Sequence, residues 1–282
     1  MQIAFPRFVP AIAAVLALLA WPMRDAGALE EVPFITSPDN VTLEMLRIAK
    51  VGPGDHVIDL GSGDGRIVIL AAKRFNATGV GVEIVPELVQ QSIRHARDAG
   101  VAGRVSFVEQ DLFKTDLSRA TVVTMYLLPD VNLQLRPSLL ALKPGTRIVS
   151  HDWDMGDWKP DRTEVLPAPD KKVGLEKTSK VHLWVVPARV EGLWCGAGPL
   201  RGARLQLSQR YQEFEGTLHH RERSRVLQGR IDGRTLRTAG GGAGGGLVLE
   251  FHEGQLRILQ AAGALAPVPG RSFIRADGPH CS

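Results

Sequence analysis

This sequence has few cysteines, few long apolar runs and a small net charge. Its 282 residues include 2 cysteines and carry a formal net charge of +4, which is too small to indicate nucleic-acid binding by itself. Beyond the N-terminal segment, no apolar stretch reaches the about 20 residues that a membrane helix needs. The hydrophobic fraction of 44% is ordinary for a globular protein. The chain can therefore bury a sizeable core, and disorder is not expected.

Lysine is absent from the last third of the chain. From Arg189 onward there are 13 arginines, no lysine and 8 acidic residues, a net charge of +5 against −1 for the remainder. This change in composition predicts a domain boundary between residues 188 and 189. We interpret the arginines as a solvated β surface, with no specific nucleic-acid partner. Binding to an anionic membrane or to nucleic acid is the alternative.

The N-terminus has the features of a secretory signal peptide. Arg7 supplies positive charge, an apolar run extends from Val9 to Ala20, and Ala26 and Ala28 are the small residues that a signal peptidase reads. Residues 1–28 are therefore predicted to be a signal peptide, and the protein to be exported, periplasmic or secreted. The alternative is an uncleaved segment that anchors the protein to the membrane.

Both cysteines, Cys195 and Cys281, lie in the C-terminal part, near its two ends. An even number in an exported protein is compatible with a disulfide, and two unrelated thiols are equally compatible. His219, His220 and His252 have no cysteine or acidic residue at a metal-ligand spacing. We therefore expect surface histidines and no metal site.

Strands alternate with helices through the first half of the chain. The predicted strands are residues 56–60, 78–83, 105–109, 122–126 and 146–151. The first predicted helix has Ser37 as its N-terminal cap, and the later helices cover residues 66–74, 86–99 and 132–142. Two further strands, 163–166 and 181–186, are expected to close the sheet as a hairpin. This order predicts an α/β fold, a Rossmann-like, mostly parallel sheet with helices on both faces, over residues 29–188.

From Glu191 the pattern changes to short apolar runs without helical periodicity. These runs are residues 203–207, 213–218, 225–231, 235–238, 247–251 and 256–259. Glycines punctuate them, and residues 240–246 are glycine apart from Ala243. We predict a small all-β domain, a meander or barrel, over residues 189–282.

A glycine-rich turn lies between the first strand and the next helix, with the sequence Asp59-Leu60-Gly61-Ser62-Gly63-Asp64-Gly65. A dinucleotide site needs Gly-x-Gly-x-x-Gly, whose third glycine would fall at Arg66. This mismatch disfavours a nucleotide-dependent oxidoreductase. S-adenosylmethionine (SAM) has a cationic sulfonium and an ammonium in place of phosphate, so the carboxylates of Asp59 and Asp64 suit it better.

Two further acidic residues follow the next two strands. Glu83 ends the second strand, where a carboxylate can bind both ribose hydroxyls. Asp111 follows the third strand and could accept a hydrogen bond from the adenine amino group. Because the carboxyl ends of parallel strands share one edge of a sheet, these acids are expected to surround one ligand.

These motifs resemble those of class I SAM-dependent methyltransferases. More narrowly, Val32-Pro33-Phe34 and the run from Asp59 to Val68 are similar to the family that includes the ATP synthase c-subunit lysine N-methyltransferases, with exported bacterial relatives that share Tyr126-Leu127-Leu128-Pro129. The resemblance implies SAM as cofactor and a protein lysine as acceptor. It implies cofactor contacts at Asp59, Gly61, Ser62, Gly63, Asp64, Gly65, Glu83, Ile84, Gln110, Asp111 and Leu112.

The acceptor site is predicted at the ends of the fourth and fifth strands. Methyl transfer is an in-line displacement that depends on alignment and exclusion of water, and an amine acceptor needs a group that receives its proton. We expect Tyr126, His151 and Asp152 to line this site.

The alternative function is a non-catalytic SAM-binding protein whose β domain is an interaction module. An exported protein would also need SAM outside the cytoplasm, unless the signal is an anchor with the domain inside, or the export prediction is wrong.

Overall fold

The computed structural model describes residues 35–172, 175–239, 246–261 and 270–281. The described residues belong to one compact unit, Ile35–Ser282. The predicted signal peptide and Val32-Pro33-Phe34 lie outside the described residues. Within these ranges, no helix has the length and apolarity that crossing a membrane requires.

The first part of the described chain is a sheet with helices. Its strands are β1 (His56–Leu60), β2 (Thr78–Glu83), β3 (Val105–Glu109), β4 (Val122–Met125), β5 (Arg147–His151), β6 (Arg162–Pro167) and β7 (Thr178–Val185). Its helices are α1 (Asp39–Ile48), α2 (Arg66–Phe75), α3 (Pro86–Asp98) and α4 (Pro129–Leu140). The strand order among the described residues is β3-β2-β1-β4-β5-β7-β6. Strands β1 to β5 pair in parallel, and β7 pairs antiparallel with both β5 and β6.

Apolar residues fill both faces of this sheet. Successive strand residues point to opposite faces, so Val57 and Ile58 enter different clusters. One cluster contains Val41, Met45, Val57, Ile67 and Val181, from α1, α2 and the sheet. The other contains Ile58, Leu135, Leu139, Trp158 and Trp184, from α4 and the sheet. The Rossmann-like architecture predicted from the sequence is thereby confirmed.

Several element boundaries differ from the prediction, and the starts of α1 and α4 have a clear physical reason. Ser37 does not cap α1: the residue before the helix is Pro38, which makes no side-chain cap hydrogen bond, and Ser37 Oγ lies 2.8 Å from His151 Nδ1. Helix α4 begins at Pro129 rather than at Asn132. At the first helical position, the proline ring fixes φ near the helical value. Proline has no N–H, but an N–H at this position would have no partner within the helix.

The C-terminal part is a closed antiparallel barrel. Its strands are β8 (Gly192–Gly196), β9 (Arg204–Arg210), β10 (Glu213–His220), β11 (Arg223–Asp232), β12 (Thr235–Thr238), β13 (Val248–His252), β14 (Gln255–Gln260) and β15 (Ser272–Arg275). Buried side chains of Trp194, Leu205, Phe214, Leu249 and Phe273 fill its interior. The predicted runs correspond to the middle strands. The pattern did not reveal β8 and β15, which are short and pair with each other to close the barrel.

A disulfide joins Cys195 on β8 to Cys281 beyond β15. The structure thus decides between the two states that the sequence left open. The bridge fastens the C-terminal end of the chain to the strand that closes the barrel.

Hydrogen bonds and ring stacking attach the barrel to the loop between β5 and β6. Tyr211 Oη donates to Asp157 Oδ2 at 2.9 Å, and the Tyr211 ring stacks on Trp158. Arg230 pairs with Asp161 at 2.9 Å. The sheet ends at Val185 and the barrel starts at Gly192, while the predicted boundary at residues 188 and 189 stays a prediction.

Candidate cofactor and acceptor site

The glycine-rich turn lies where the strand order reverses, since β1 has β2 on one side and β4 on the other. In open α/β sheets, ligands bind in the crevice at such a switch point. Gly61, Gly63 and Gly65 all have a positive φ. The N–H groups of Gly61 and Ser62 donate to Val82 O at 2.9 Å. The turn is therefore tied directly to the end of β2.

A Cβ would crowd neighbouring side chains at two of these glycines, severely at Gly65 and less so at Gly61, where only the end of the Leu127 side chain would have to move. A Cβ on Gly65 would lie 2.7 Å from the Phe107 ring, and one on Gly61 would lie 2.9 Å from a Leu127 methyl. Both residues also have the left-handed φ that glycine adopts without strain. Close packing and backbone conformation together explain the need for glycine here.

Asp59 is a buried carboxyl group at the base of the turn. Its Oδ1 accepts a hydrogen bond from Thr124 Oγ1 at 2.7 Å. Burial, and then the negative charges of Glu83 and Asp64, raise the pKa of Asp59 to about 7, against the lowering effect of the Thr124 hydrogen bond. A cation bound beside Asp59 would favour the ionised form of this carboxyl group.

Asp64 and Glu83 each accept hydrogen bonds from residues at the turn. Asp64 pairs with the Arg66 guanidinium at 2.7 Å. Burial would raise the pKa of Asp64, but the hydrogen bonds and charge of Arg66 lower it. Glu83 Oε2 accepts from Gly63 N at 2.8 Å, and its Oε1 accepts from Ile84 N at 2.9 Å. Glu83 therefore orders the turn and retains unused acceptor capacity on Oε2.

The residues predicted beside an adenine lie just past β2 and β3. Ile84 is 61% exposed. Gln110 N donates to Glu83 O, so this segment lies against the end of β2. Asp111 Oδ1 caps the short helical turn Leu112–Lys114 by accepting from Phe113 N at 2.9 Å. Leu112 is partly buried in that turn. The structure thus places all the predicted cofactor residues along one edge of the sheet.

The donor set fits a cationic cofactor. Asp59, Asp64 and Glu83 contribute three carboxylates, and the buried Ser62 Oγ has no hydrogen-bond partner among the described residues. Burying an unpaired hydroxyl costs free energy, which a ligand group at the turn would offset. Crowded carboxylates would repel a pyrophosphate and attract a sulfonium and an ammonium.

Tyr126, the residue just past β4, lies beside His151, the last residue of β5. Their ring centroids are 4.0 Å apart. His151 is fully buried, with Ser37 Oγ 2.8 Å from Nδ1 and Ser179 Oγ 2.9 Å from Nε2. Burial is the main reason that the pKa of His151 falls to about 4. His151 is therefore neutral near pH 7, and its ring packs against that of Tyr126. Its predicted place in the acceptor site stays a prediction.

Asp152 adjoins the same cluster and is partly exposed. Its φ is +63°, a conformation that costs free energy for a residue other than glycine and that often occurs at functional sites. Its Oδ2 lies 2.9 Å from Lys171 Nζ. Burial, followed by the charge of Asp152, raises the pKa of Tyr126.

Sequence reasoning missed Ser37, Thr124, Lys171 and Ser179. Thr124 was detectable, because it is a polar residue in the apolar strand Val122–Met125. The other three come from distant parts of the chain, so no local pattern relates them to His151 or Asp152.

The comparisons with known proteins agree with this geometry. The ANTKMT methyltransferase domain family matches residues 59–162. A protein-lysine N-methyltransferase of Saccharolobus islandicus (strain REY15A) is 45% identical over 157 residues, 55% of this chain and 94% of that protein. The ATP synthase c-subunit lysine N-methyltransferase of Homo sapiens is 34% identical over 152 residues, 54% of this chain and 63% of the human protein.

One solved structure also matches. The crystal structure of an RNA methyltransferase from Salinibacter ruber in complex with S-adenosyl-L-homocysteine has 50% sequence identity and a TM-score of 0.50, covering 55% of this chain and 96% of that one. The chain thus spans nearly all of the S. islandicus protein and of the Salinibacter protein, but under two thirds of the human protein.

Proposed function

The chain belongs to the family of SAM-dependent methyltransferases that includes the S. islandicus protein-lysine N-methyltransferase, and we propose that its acceptor is a protein lysine. The chain is a SAM-dependent methyltransferase, and SAM is its cofactor. The observation that carries the lysine proposal is 45% identity across 94% of a relative that acts on protein lysine.

The proposed cofactor residues are those of the switch-point edge. Glu83 Oε2 would accept from the ribose hydroxyls, and Asp111 from the adenine amino group. Ile84 and Leu112 would cover the adenine ring. The carboxylates of Asp59 and Asp64 would balance the cationic end of the ligand. When bound, SAM supplies a methyl group that its sulfonium charge activates toward nucleophiles.

The proposed acceptor residues are Tyr126 and Asp152. The Asp152 carboxylate would attract the ammonium of an incoming lysine, and Tyr126 would border its path. His151 is fully buried, and both of its ring nitrogens lie within hydrogen-bond distance of serine hydroxyls. Its lowered pKa also makes it a weak proton acceptor, so we assign it a positioning role for Tyr126 rather than that of a base.

Radiolabelled methyl transfer tests the acceptor class. The full chain is incubated with methyl-labelled SAM and either nuclease-treated bacterial protein or deproteinised bacterial RNA, and the protein is acid-hydrolysed to single amino acids. Label in methyl-lysine supports the proposal. Label confined to RNA would replace lysine by RNA as the acceptor. Glu83→Ala is the background control, because it removes a proposed ribose contact.

RNA is the second candidate acceptor. It is favoured by the name of the Salinibacter structure, which has 50% identity to this chain. The non-catalytic alternative would be supported if SAM bound but neither protein nor RNA acquired label.

We further propose that residues 1–28 direct export. The supporting observations are the order of charge, apolar run and small residues in the sequence and the Cys195–Cys281 disulfide, a bond typical of oxidising compartments. A fusion of residues 1–31 to alkaline phosphatase tests export, since this enzyme is active only outside the cytoplasm. Active, released reporter indicates cleavage, active membrane-bound reporter indicates an anchor, and inactive reporter would contradict the proposal.

A further inference from the structure

A lysine of this chain lies beside the proposed acceptor residues. Lys171 Nζ lies 2.9 Å from Asp152 Oδ2 and donates to the backbone oxygen of Thr178 at 2.8 Å. The Lys171 side chain is 14% exposed and that of Asp152 is 13% exposed. Surface lysines are usually solvated, so this ammonium occupies a built site.

The structure orients Asp152 toward this lysine. Its backbone N donates to Lys180 O at 2.7 Å, and its Oδ1 accepts from Lys180 N at 2.9 Å. These two bonds hold Asp152 in its left-handed conformation. The other carboxylate oxygen of Asp152, Oδ2, lies within hydrogen-bond distance of Lys171 Nζ.

A chain of contacts leads from the cofactor edge to Lys171. Thr124 on β4 bonds to Asp59, and Tyr126 lies two residues further along the same strand end. The Tyr126 ring packs on His151. His151 Nε2 lies 3.4 Å from Asp152 Oδ2, which contacts Lys171. The ammonium is thus placed at the same end of β4 and β5 as the proposed acceptor residues.

We propose that Asp152 Oδ2 and Thr178 O form the subsite for the acceptor ammonium, and that Lys171 occupies it from within the chain and is itself methylated. This inference rests on the proposed function. It goes beyond it by naming the subsite and a modification site.

The two hydrogen bonds suit the chemistry of the step. The Lys171 ammonium releases one proton to water, and its two remaining N–H groups keep their bonds to Asp152 and Thr178. The nitrogen lone pair is then free to form the new N–C bond while the S–C bond of SAM breaks, its electrons remaining on a neutral thioether sulfur. The product is a secondary ammonium that keeps its charge and both donors. A single methyl group is therefore the expected main product.

Peptide mass spectrometry of the full chain after incubation with SAM tests the modification. We expect Lys171 to gain the mass of one methyl group. Lys171→Arg should abolish that signal, whereas Lys172→Arg, which changes the exposed neighbour, should leave it. Asp152→Asn keeps the Oδ1 acceptor for Lys180 N but removes the charge, and it should lower the methylated fraction at least tenfold.

A second readout examines the subsite without SAM. n-Butylammonium, which imitates the lysine side chain, should raise the melting temperature of Lys171→Ala but not of the Lys171→Ala/Asp152→Asn double variant. An equal rise with n-butanol, or no rise with either, would overturn the subsite.

Calorimetry with SAM separates the two possible failures. Unmodified Lys171 in a chain that binds SAM would overturn this inference and leave the proposed function standing. A chain that does not bind SAM would overturn the proposed cofactor site itself.

Discussion

Asp59 combines deep burial with two negative neighbours, and this combination makes cofactor affinity depend on pH. Burial is the main reason that the pKa of Asp59 is raised to about 7. A cation at the site favours the ionised form, so SAM affinity should rise with pH from 6 to 8, by up to about tenfold per unit below the pKa. Calorimetric titration at several pH values measures this. Asp59→Asn should bind weakly with a flat profile, and equal slopes in both proteins would contradict the assignment.

The same carboxyl group has the opposite effect on the stability of the free chain. Its folded pKa lies above the usual 3.8, so the folded state holds more protons than the unfolded state between these values. The free energy of unfolding therefore falls as pH rises from about 4 to 7. Asp59→Asn should remove this loss and make the free chain more stable at pH 8, which urea unfolding at pH 5 and pH 8 would show.

Glu83 has three backbone donors on its carboxylate, from Gly63, Ile84 and Val85. They orient the carboxylate, and each proposed hydrogen bond from a ribose hydroxyl to this charged group would contribute about 1.5–3 kcal/mol to SAM binding. Glu83→Ala should therefore weaken SAM binding by at least about tenfold, since about 1.4 kcal/mol is a factor of ten. Glu87→Ala, at an exposed site on α3, is the matched control. A Glu83 variant with unchanged affinity would remove this residue from the cofactor site.

The turn between β1 and α2 requires glycine at position 65, and this requirement can be tested at the scale of secondary-structure elements. Gly65 has a φ of +79°, and a Cβ there would meet the Phe107 ring and the Ser92 Cβ. Gly65→Ala should lower the free energy of unfolding by on the order of 2 kcal/mol, because a left-handed alanine is strained, and should weaken SAM binding as well. Gly54→Ala, where nothing lies within 4 Å, should change neither. Equal stability of both variants in chemical denaturation would contradict this account.

Helices and strands were predictable where their pattern is local. The alternating elements from β1 to β5 follow from apolar runs bounded by glycine and proline, so the predicted ranges agree closely with the observed ones. The barrel strands β8 and β15 were missed because neither shows a clear alternation. Their pairing with each other is a contact between distant segments, which periodicity does not report.

At the scale of the whole molecule, the disulfide should stabilise the barrel without affecting the cofactor site. The bridged residues are 86 positions apart, and a loop of that length corresponds to about 4.5 kcal/mol on the loop-entropy model. Cys195→Ser/Cys281→Ser should therefore unfold at lower denaturant concentration. SAM affinity should change by less than about twofold, because separate sites contribute independently. A large loss of affinity would instead show that the barrel supports the site.

The sequence by itself determined the fold class, the glycine-rich turn and the acids that follow successive strands. These features are local, because strand ends in a parallel sheet share one edge and the motif residues lie directly at those ends. Only the tertiary structure decided the disulfide, the closure of the barrel and the burial of His151 between Ser37 and Ser179. Those features depend on contacts between residues far apart in the chain. Burial and electric charge act through space, so the neutral state of His151 and the pairing of Lys171 with Asp152 became visible only in the folded molecule.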